Sequence, residues 1–283
     1  LGLSHLIYPG AMHTRFQHSI GCTYLMIQAV ATLRSLGHDI SNQEEEGVCI
    51  AILLHDIGHS PFSHTLENSI VTELKHEDIS MIFMQKLNIE FKGKLDTAIS
   101  IFSDNYPKRF LHKLVSSQLD MDRLDYLNRD SFFTGVSEGV VGNERIIKMF
   151  DIVNDEIVIK QKGIYSIEKF LVARRLMYWQ VYLHKTVLSA EFLLMNTLKR
   201  AKELVQSGQE LLCTSSLQFF LLNNIGSEQL KEKNILHQFA NLDDYEIFTN
   251  IKQWQTSNDL VLSKLSSMLV NRKLLKVKIS KHP

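Results

Sequence analysis

An apolar run, Val48 to Leu54, leads straight into His55-Asp56 and then into Ile57-Gly58-His59-Ser60-Pro61-Phe62-Ser63-His64. An apolar helix that delivers an imidazole and a carboxylate side by side must satisfy both, because an unpaired buried polar group is costly. A metal ion suits one nitrogen donor and one oxygen donor. Adjacent residues inside a regular helix point in different directions. The pair can converge on one ion only where the helix ends, and Gly58 and Pro61 supply that end. The chain must therefore stop a helix here and bring further ligands from elsewhere. His18 is available upstream, and Asp120, Asp122 and Asp125 downstream.

Only 4 prolines and 13 glycines interrupt the 283 residues, which predicts long helices. The first spans Thr14 to Leu36, with Phe16, Ile20, Tyr24, Ile27 and Val30 at helical spacing and Gly37 closing it. Ser41-Asn42-Gln43-Glu44 reads as a capping box for the helix that carries the apolar run to His55. Further helices are expected over Phe62 to Ile70, His76 to Leu87 and Leu95 to Phe102. Another is expected from Pro107 to Ser116, and one from Asp120 to Phe133 closed by Gly135. Ile152-Val153 and Ile157-Val158-Ile159 flank Asn154-Asp155-Glu156 as a small hairpin. Ser166 to Leu198 reads as one long helix, and the stretch after Gly208 as helical. The tail Lys273 to Ser280 alternates apolar residues with Lys, as an exposed edge strand does. The expected fold is mainly α, with a small β-hairpin and a mostly helical C-terminal extension. The expected division is residues 1–200 as the main domain and 201–283 as that extension.

Apolar content of 45% and charged content of 22% are those of a globular protein with a sizeable core. With 31 basic and 31 acidic residues the net charge is zero, so nucleic acid is not expected as the main partner. No signal-peptide pattern and no membrane-length apolar run stand out, and the three cysteines read as reduced core residues. The expected setting is cytoplasmic, without a membrane partner.

Three segments together resemble one family. They are Arg15-Phe16-Gln17-His18-Ser19, the stretch from His55 to His64, and Asp120-Met121-Asp122-Arg123-Leu124-Asp125-Tyr126. In this order they resemble the HD-domain phosphohydrolases, and within them the deoxynucleotide triphosphohydrolase (dGTPase-like) branch, over roughly Leu1 to Leu198. The resemblance implies an HD-domain helical bundle and a divalent metal ion (Mn, Fe, Mg, Ni or Zn) held by His18, His55, Asp56 and Asp122. It selects Asp122 over Asp120, a plausible helix cap, and over Asp125, a plausible salt-bridge partner. It makes His59, His64 and His76 the active-site histidines. Arg15, one helical turn from His18, and Arg123 are implied phosphate contacts; Tyr126 and Asp130, on the helix face of Arg123, are implied sugar contacts. Tyr182, His184 and Lys185 resemble the family's Tyr-x-His-Lys, with Arg174 eight residues before Tyr182. Arg174 and Lys185 would meet phosphates, and Tyr182 the sugar.

The implied activity is hydrolysis of a deoxynucleoside triphosphate (dNTP) to deoxynucleoside and triphosphate, with His64 as general acid. The alternatives are another HD nucleotide phosphohydrolase, a 5′-nucleotidase or phosphodiesterase, or a nucleotide-sensing module with an idle metal site. The resemblance also implies a homo-oligomer, a dimer or tetramer.

Overall fold

The computed structural model describes residues 1–66, 71 and 74–278. The chain packs as two compact units. The first comprises Gly10–Gly58 and Ser80–Val181; the second comprises Leu1–Pro9, His59–Ile79 and Tyr182–Pro283.

In the first unit, Thr14 caps α1 (Arg15–Ser35) through a reciprocal pair of hydrogen bonds with Gln17. Its buried face carries His18, Cys22, Leu25, Met26, Ala29 and Leu33. Of the five apolar residues expected on one face, only Val30 is in the core; Phe16, Ile20, Tyr24 and Ile27 are 48–73% exposed. The reason is legible afterwards. No Asp, Glu, Lys or Arg lies between Phe16 and Leu33, so both faces of the helix are uncharged and spacing cannot choose between them.

Ser41 and Glu44 form the expected capping box of α2 (Asn42–Leu54), which packs on α1. Next come α3 (His76–Glu90), whose first turn belongs with the second unit, and α4 (Asp96–Phe102), which lies along α2. Helix α5 (Arg109–Val115) begins two residues after Pro107 rather than at it. Asp120 caps α6 (Met121–Thr134), and Gly135, at φ +74°, closes it. Helix α6 packs on α1, and these helices share a core that includes Val48, Ile52, Ile101, Leu111, Leu124 and Leu127.

After α7 (Asn143–Lys148) comes the hairpin, with β1 (Phe150–Val153) antiparallel to β2 (Glu156–Ile159). Its two-residue turn is Asn154-Asp155, at φ +52° and +63°, the left-handed pair that a type I′ turn requires. The long helix expected over Ser166 to Leu198 is broken. α8 (Ile164–Met177) runs into a π-helical turn, Tyr178–Tyr182, and α9 (Lys185–Gln206) starts anew. The cause is His184, whose extended backbone and Nδ1 acceptor, 3.2 Å from the Thr186 amide, make it an N-cap.

In the second unit, α9 packs against α10 (Ser215–Leu222) and α14 (Leu260–Val270). Between these in the chain are α11 (Ser227–Leu230), α12 (Lys233–Asn241) and α13 (Asp244–Trp254). The core here includes Val187, Leu194, Leu198, Trp254, Leu262 and Leu269. Arg200 of α9 holds Asp259, the N-cap of α14, with both Nε and Nη2. The helix expected from Phe62 to Ile70 is, in its described part, only a 3-10 turn, Ser63–Thr65. Phe62 and Ser63 take left-handed backbone angles after Pro61, and the Phe62 amide donates to Asp244. The side chain of His64 and residues 67–70 lie outside the described residues. Residues 273–278 form no strand, and 279–280 also lie outside the description. The expected domain boundary at residues 200/201 falls inside α9. The mainly helical class with one small hairpin holds.

Candidate metal centre

Three elements of the first unit present polar side chains to one another. His18 stands one turn into α1, and His55 and Asp56 stand where α2 ends; Asp122 stands in the first turn of α6. His18 Nε2 lies 3.1 Å from Asp122 Oδ1. His55 Nε2 lies 3.4 Å from Asp56 Oδ1 and 3.7 Å from Asp122 Oδ1. Two ligand atoms about 2.1 Å from one ion are at most about 4.2 Å apart, so all three distances suit a shared divalent ion.

Hydrogen bonding supports the same fit. His55 Nδ1 donates to the Ile52 carbonyl at 2.6 Å, which fixes that proton and leaves Nε2 as the lone-pair nitrogen. That Nε2 is buried with no hydrogen-bond partner among the described residues, which is costly without a further group. His18 Nδ1 lies 2.7 Å from Asp125 Oδ2, so its Nε2 faces Asp122 in the same way. The turn after His55 is tied down by Ser80, whose Oγ donates to the His55 carbonyl and accepts from the Gly58 amide.

Without an ion these groups lean on one another. Burial works against charge on His18, but Asp122 and Asp125 outweigh it and raise its pKa. His55 is raised likewise, burial being outweighed by Asp56 and Asp122. Asp122 is held well below the usual carboxylate range, its burial overcome by the two histidines. A divalent cation supplies the positive charge this cluster recruits from imidazole protons, and two imidazoles with two carboxylates are a suitable donor set.

The expected substrate contacts have varied surroundings. Arg15 Nη1 binds Asp56 Oδ2, opposite the edge that faces His55. Arg123 pairs with Asp120, which also accepts from the Ser117 and Arg123 amides. Asp130 is buried and takes a 2.7 Å hydrogen bond from His13 Nε2, whose ring stacks on Phe133. Burial pushes the Tyr126 phenol up, with Asp122 adding to it. Arg174 Nη1 donates to Gln118. In the second unit, His59 and His76 stack with ring centroids 3.9 Å apart, and His76 Nδ1 is 3.3 Å from Glu77. Tyr182 ends the π-helical turn and Lys185 opens α9 with its side chain exposed.

Four residues that line this neighbourhood were not expected as partners of the proposed ligands. Cys22 Sγ sits 3.5 Å from both His18 ring nitrogens, and burial pushes its thiol up to about 12. Asp125, Arg129 and Ser80 are the others. The i,i+4 spacings of His18 with Cys22 and of Asp125 with Arg129 were the available signals.

Comparison with known proteins agrees with this geometry. An HD domain model matches residues 15–129, which contain all four proposed ligands, and an HD associated region matches 141–215. A phosphohydrolase crystal structure from Bacteroides thetaiotaomicron is 56% identical with a TM-score of 0.96, covering 100% of this chain and 71% of that one. The uncharacterized protein YwfO of Bacillus subtilis is 34% identical over 281 residues, covering 97% of this chain and 63% of that protein. The deoxynucleoside triphosphate triphosphohydrolase SAMHD1 homolog of Dictyostelium discoideum is 28% identical over 235 residues, covering 75% and 45%. The chain thus spans 45–71% of the length of these relatives. A matching HD domain model laid over a converging His-Asp cluster, together with a phosphohydrolase of nearly superimposable fold, places this chain in the HD-domain phosphohydrolase superfamily.

Proposed function

We propose that this chain hydrolyses deoxynucleoside triphosphates to deoxynucleoside and inorganic triphosphate. The observation that carries the reading is the convergence of His18, His55 and Asp122, with ligand atoms at distances that suit one divalent ion; Asp56, 3.4 Å from His55, is the proposed fourth ligand. The triphosphate branch is supported by similarity to relatives named deoxynucleoside triphosphate triphosphohydrolases in Dictyostelium, zebrafish and mouse. When bound, a divalent ion lowers the pKa of water toward neutrality and offsets phosphoryl charge.

The remaining work falls to the chain. His18 and His55 serve as neutral imidazoles through Nε2, each with Nδ1 engaged elsewhere. Asp56 is oriented by Arg15, so the Arg15 guanidinium is anchored where it can also meet a phosphate oxygen. Arg123, anchored by Asp120, offers a second such charge. By the family resemblance, Arg174 and Lys185 are further proposed phosphate contacts, and Tyr126, Asp130 and Tyr182 the proposed sugar contacts. Tyr126 keeps its proton at neutral pH, so it can donate a hydrogen bond. Water attacks the α-phosphorus in line and gives up a proton to solvent, the bond to the 5′-oxygen breaks, and that oxygen takes a proton from His64, which solvent then reprotonates. His59 and His76 offset charge on the phosphates. The roles of these three histidines rest on the family resemblance.

The proposal extends to assembly and setting. The uncharged, exposed strip of Phe16, Ile20, Tyr24 and Ile27 on α1 supports a homo-oligomer. Among the described residues no helix is long and apolar enough to cross a membrane. The three cysteines are unpaired, which supports the proposed cytoplasmic setting. The experiment is to incubate the purified chain with each dNTP and Mn²⁺ and to assay for inorganic triphosphate and deoxynucleoside. Release of pyrophosphate or of single phosphates instead assigns the chain to another phosphohydrolase reaction.

A further inference from the structure

His18 is held from behind by a construction that extends across two helices. A carboxylate can only accept, so the 2.7 Å contact with Asp125 Oδ2 places the His18 proton on Nδ1 and turns Nε2 toward Asp122. Asp125 is itself gripped by Arg129, one turn further along α6. Arg129 Nε donates to Oδ2 at 2.7 Å and Nη2 donates to Oδ1 at 2.9 Å. Both oxygens of Asp125 are thus engaged, Oδ2 by His18 and Arg129 and Oδ1 by Arg129, and the two-point fork holds the carboxylate plane.

The same carboxylate occupies a notch in α1. A Cβ at Gly21 would lie 2.0 Å from Asp125 Oδ1 and 2.2 Å from Arg129 Nη2. Glycine inside a helix is destabilising relative to alanine. Here its missing side chain lets the ion pair lie against the α1 backbone, beside the turn that carries His18.

We propose that Asp125 and Arg129, seated in the Gly21 notch, are positioning residues that set the tautomer and ring orientation of His18 and so determine metal affinity. This rests on the reading of His18 as a metal ligand. A carboxylate behind a ligating imidazole fixes its orientation and raises its basicity, and its loss costs 10–100-fold in metal affinity in comparable sites. A purely structural role, an ion pair that merely ties α6 to α1, predicts a loss of stability with unchanged affinity.

The test uses the full chain stripped of metal and titrated with Co²⁺. Calorimetry gives affinity, visible absorption reports coordination, and thermal unfolding in chelator gives stability. The variants are Asp125→Asn, Arg129→Gln and Gly21→Ala. Gly47→Ala is the control: it is another tight mid-helix glycine, whose Cβ would meet Thr97 Cγ2 at 2.6 Å, in the α2–α4 contact. Asp125→Asn and Gly21→Ala should weaken Co²⁺ binding about 10–100-fold and change its absorption. Arg129→Gln should move both readouts in the same direction by less. Gly47→Ala should lower the unfolding temperature while binding Co²⁺ within about twofold of wild type, against the 10–100-fold expected of a lost positioning group. If Asp125→Asn does not fold, Arg129→Gln, which keeps the carboxylate, decides. Wild-type affinity in the folded variants overturns the proposal, as does a Gly47→Ala loss equal to that of Gly21→Ala. If wild type itself binds no Co²⁺, the ligand reading of His18 falls and this proposal with it; if wild type binds and the variants match it, only the proposal falls.

Discussion

Three aspartates within six residues of α6 and its cap do three different things. Asp120 is fully buried and spends its carboxylate on the Ser117 and Arg123 amides and the Arg123 guanidinium. Asp122 faces His18 and His55, and Asp125 lies behind His18. Asp122→Asn should lower hydrolysis by several kcal/mol of transition-state stabilisation, about 10³-fold or more. Asp120→Ala should act first on folding: a lost cap costs about 1 kcal/mol, the half-buried Arg123 charge left behind adds to that, and any fall in activity through the freed Arg123 should come with this loss of stability. Turnover and chemical denaturation of both variants, measured side by side, check this; Asp120→Ala losing activity at unchanged stability would contradict it. The amino-acid sequence alone could not sort these aspartates. Their roles depend on which way α6 is rotated against α1, and it was the family resemblance that selected Asp122. The same holds for Asp130, whose expected place beside substrate could not reveal that His13, 117 residues away, donates to it.

Helix ends were the most legible features, because caps are local chemistry. Ser41 with Glu44 and the Asp120 cap follow from side chains within four residues of one another, as does the Thr14–Gln17 cap, which helical spacing alone passed over; the hairpin was legible too, but Glu156, expected in its turn, is the first residue of β2. Helix rotation was not legible where charge gave no polarity, as in α1, and the break between α8 and α9 was hidden in a stretch without Gly or Pro. Ser41→Ala should accordingly destabilise the chain by about 1 kcal/mol, read as a lower urea midpoint. A long-range cap behaves differently. The Arg200 guanidinium, helped by the Leu262 amide, holds the Asp259 carboxyl down to about 2. An unfolded Asp titrates near 3.9. The folded value is depressed, so this contribution is complete above about pH 4 and is lost as pH falls toward 2. Asp259→Asn should therefore flatten stability against pH across that window, with little change in its slope near pH 7. Denaturation midpoints at pH 2 to 7 check it, and an unchanged acid limb would refute the assignment.

Ion and assembly both bear on the stability of the whole chain. If the His-Asp cluster binds its ion only when folded, free Mn²⁺ at 100 times its dissociation constant should stabilise the protein by about 2.7 kcal/mol, and chelator should reverse this. His55→Gln should abolish that response. Scanning calorimetry with and without metal reads both outcomes, and a chelator-insensitive wild type would remove the metal from the fold. Assembly depends on the other face of α1. From Phe16 to Ile27 this face runs about 17 Å with no charged side chain, at 1.5 Å per residue. Its two aromatic residues, more than half exposed, are the kind that dominate interface energetics. An uncharged strip is compatible with itself, since placing two copies antiparallel about a twofold axis opposes no like charges. Wild type should therefore run as a dimer or larger species in light scattering at micromolar concentration. Ile20→Asp puts a charge in the middle of each strip and against its own symmetry mate, so it should shift the population to monomer. Because Ile20 points away from the buried face that carries His18, the Mn²⁺ stabilisation of that monomer should match wild type. A wild-type monomer, or an Ile20→Asp variant still fully assembled, would show that α1 is not where copies of this chain meet.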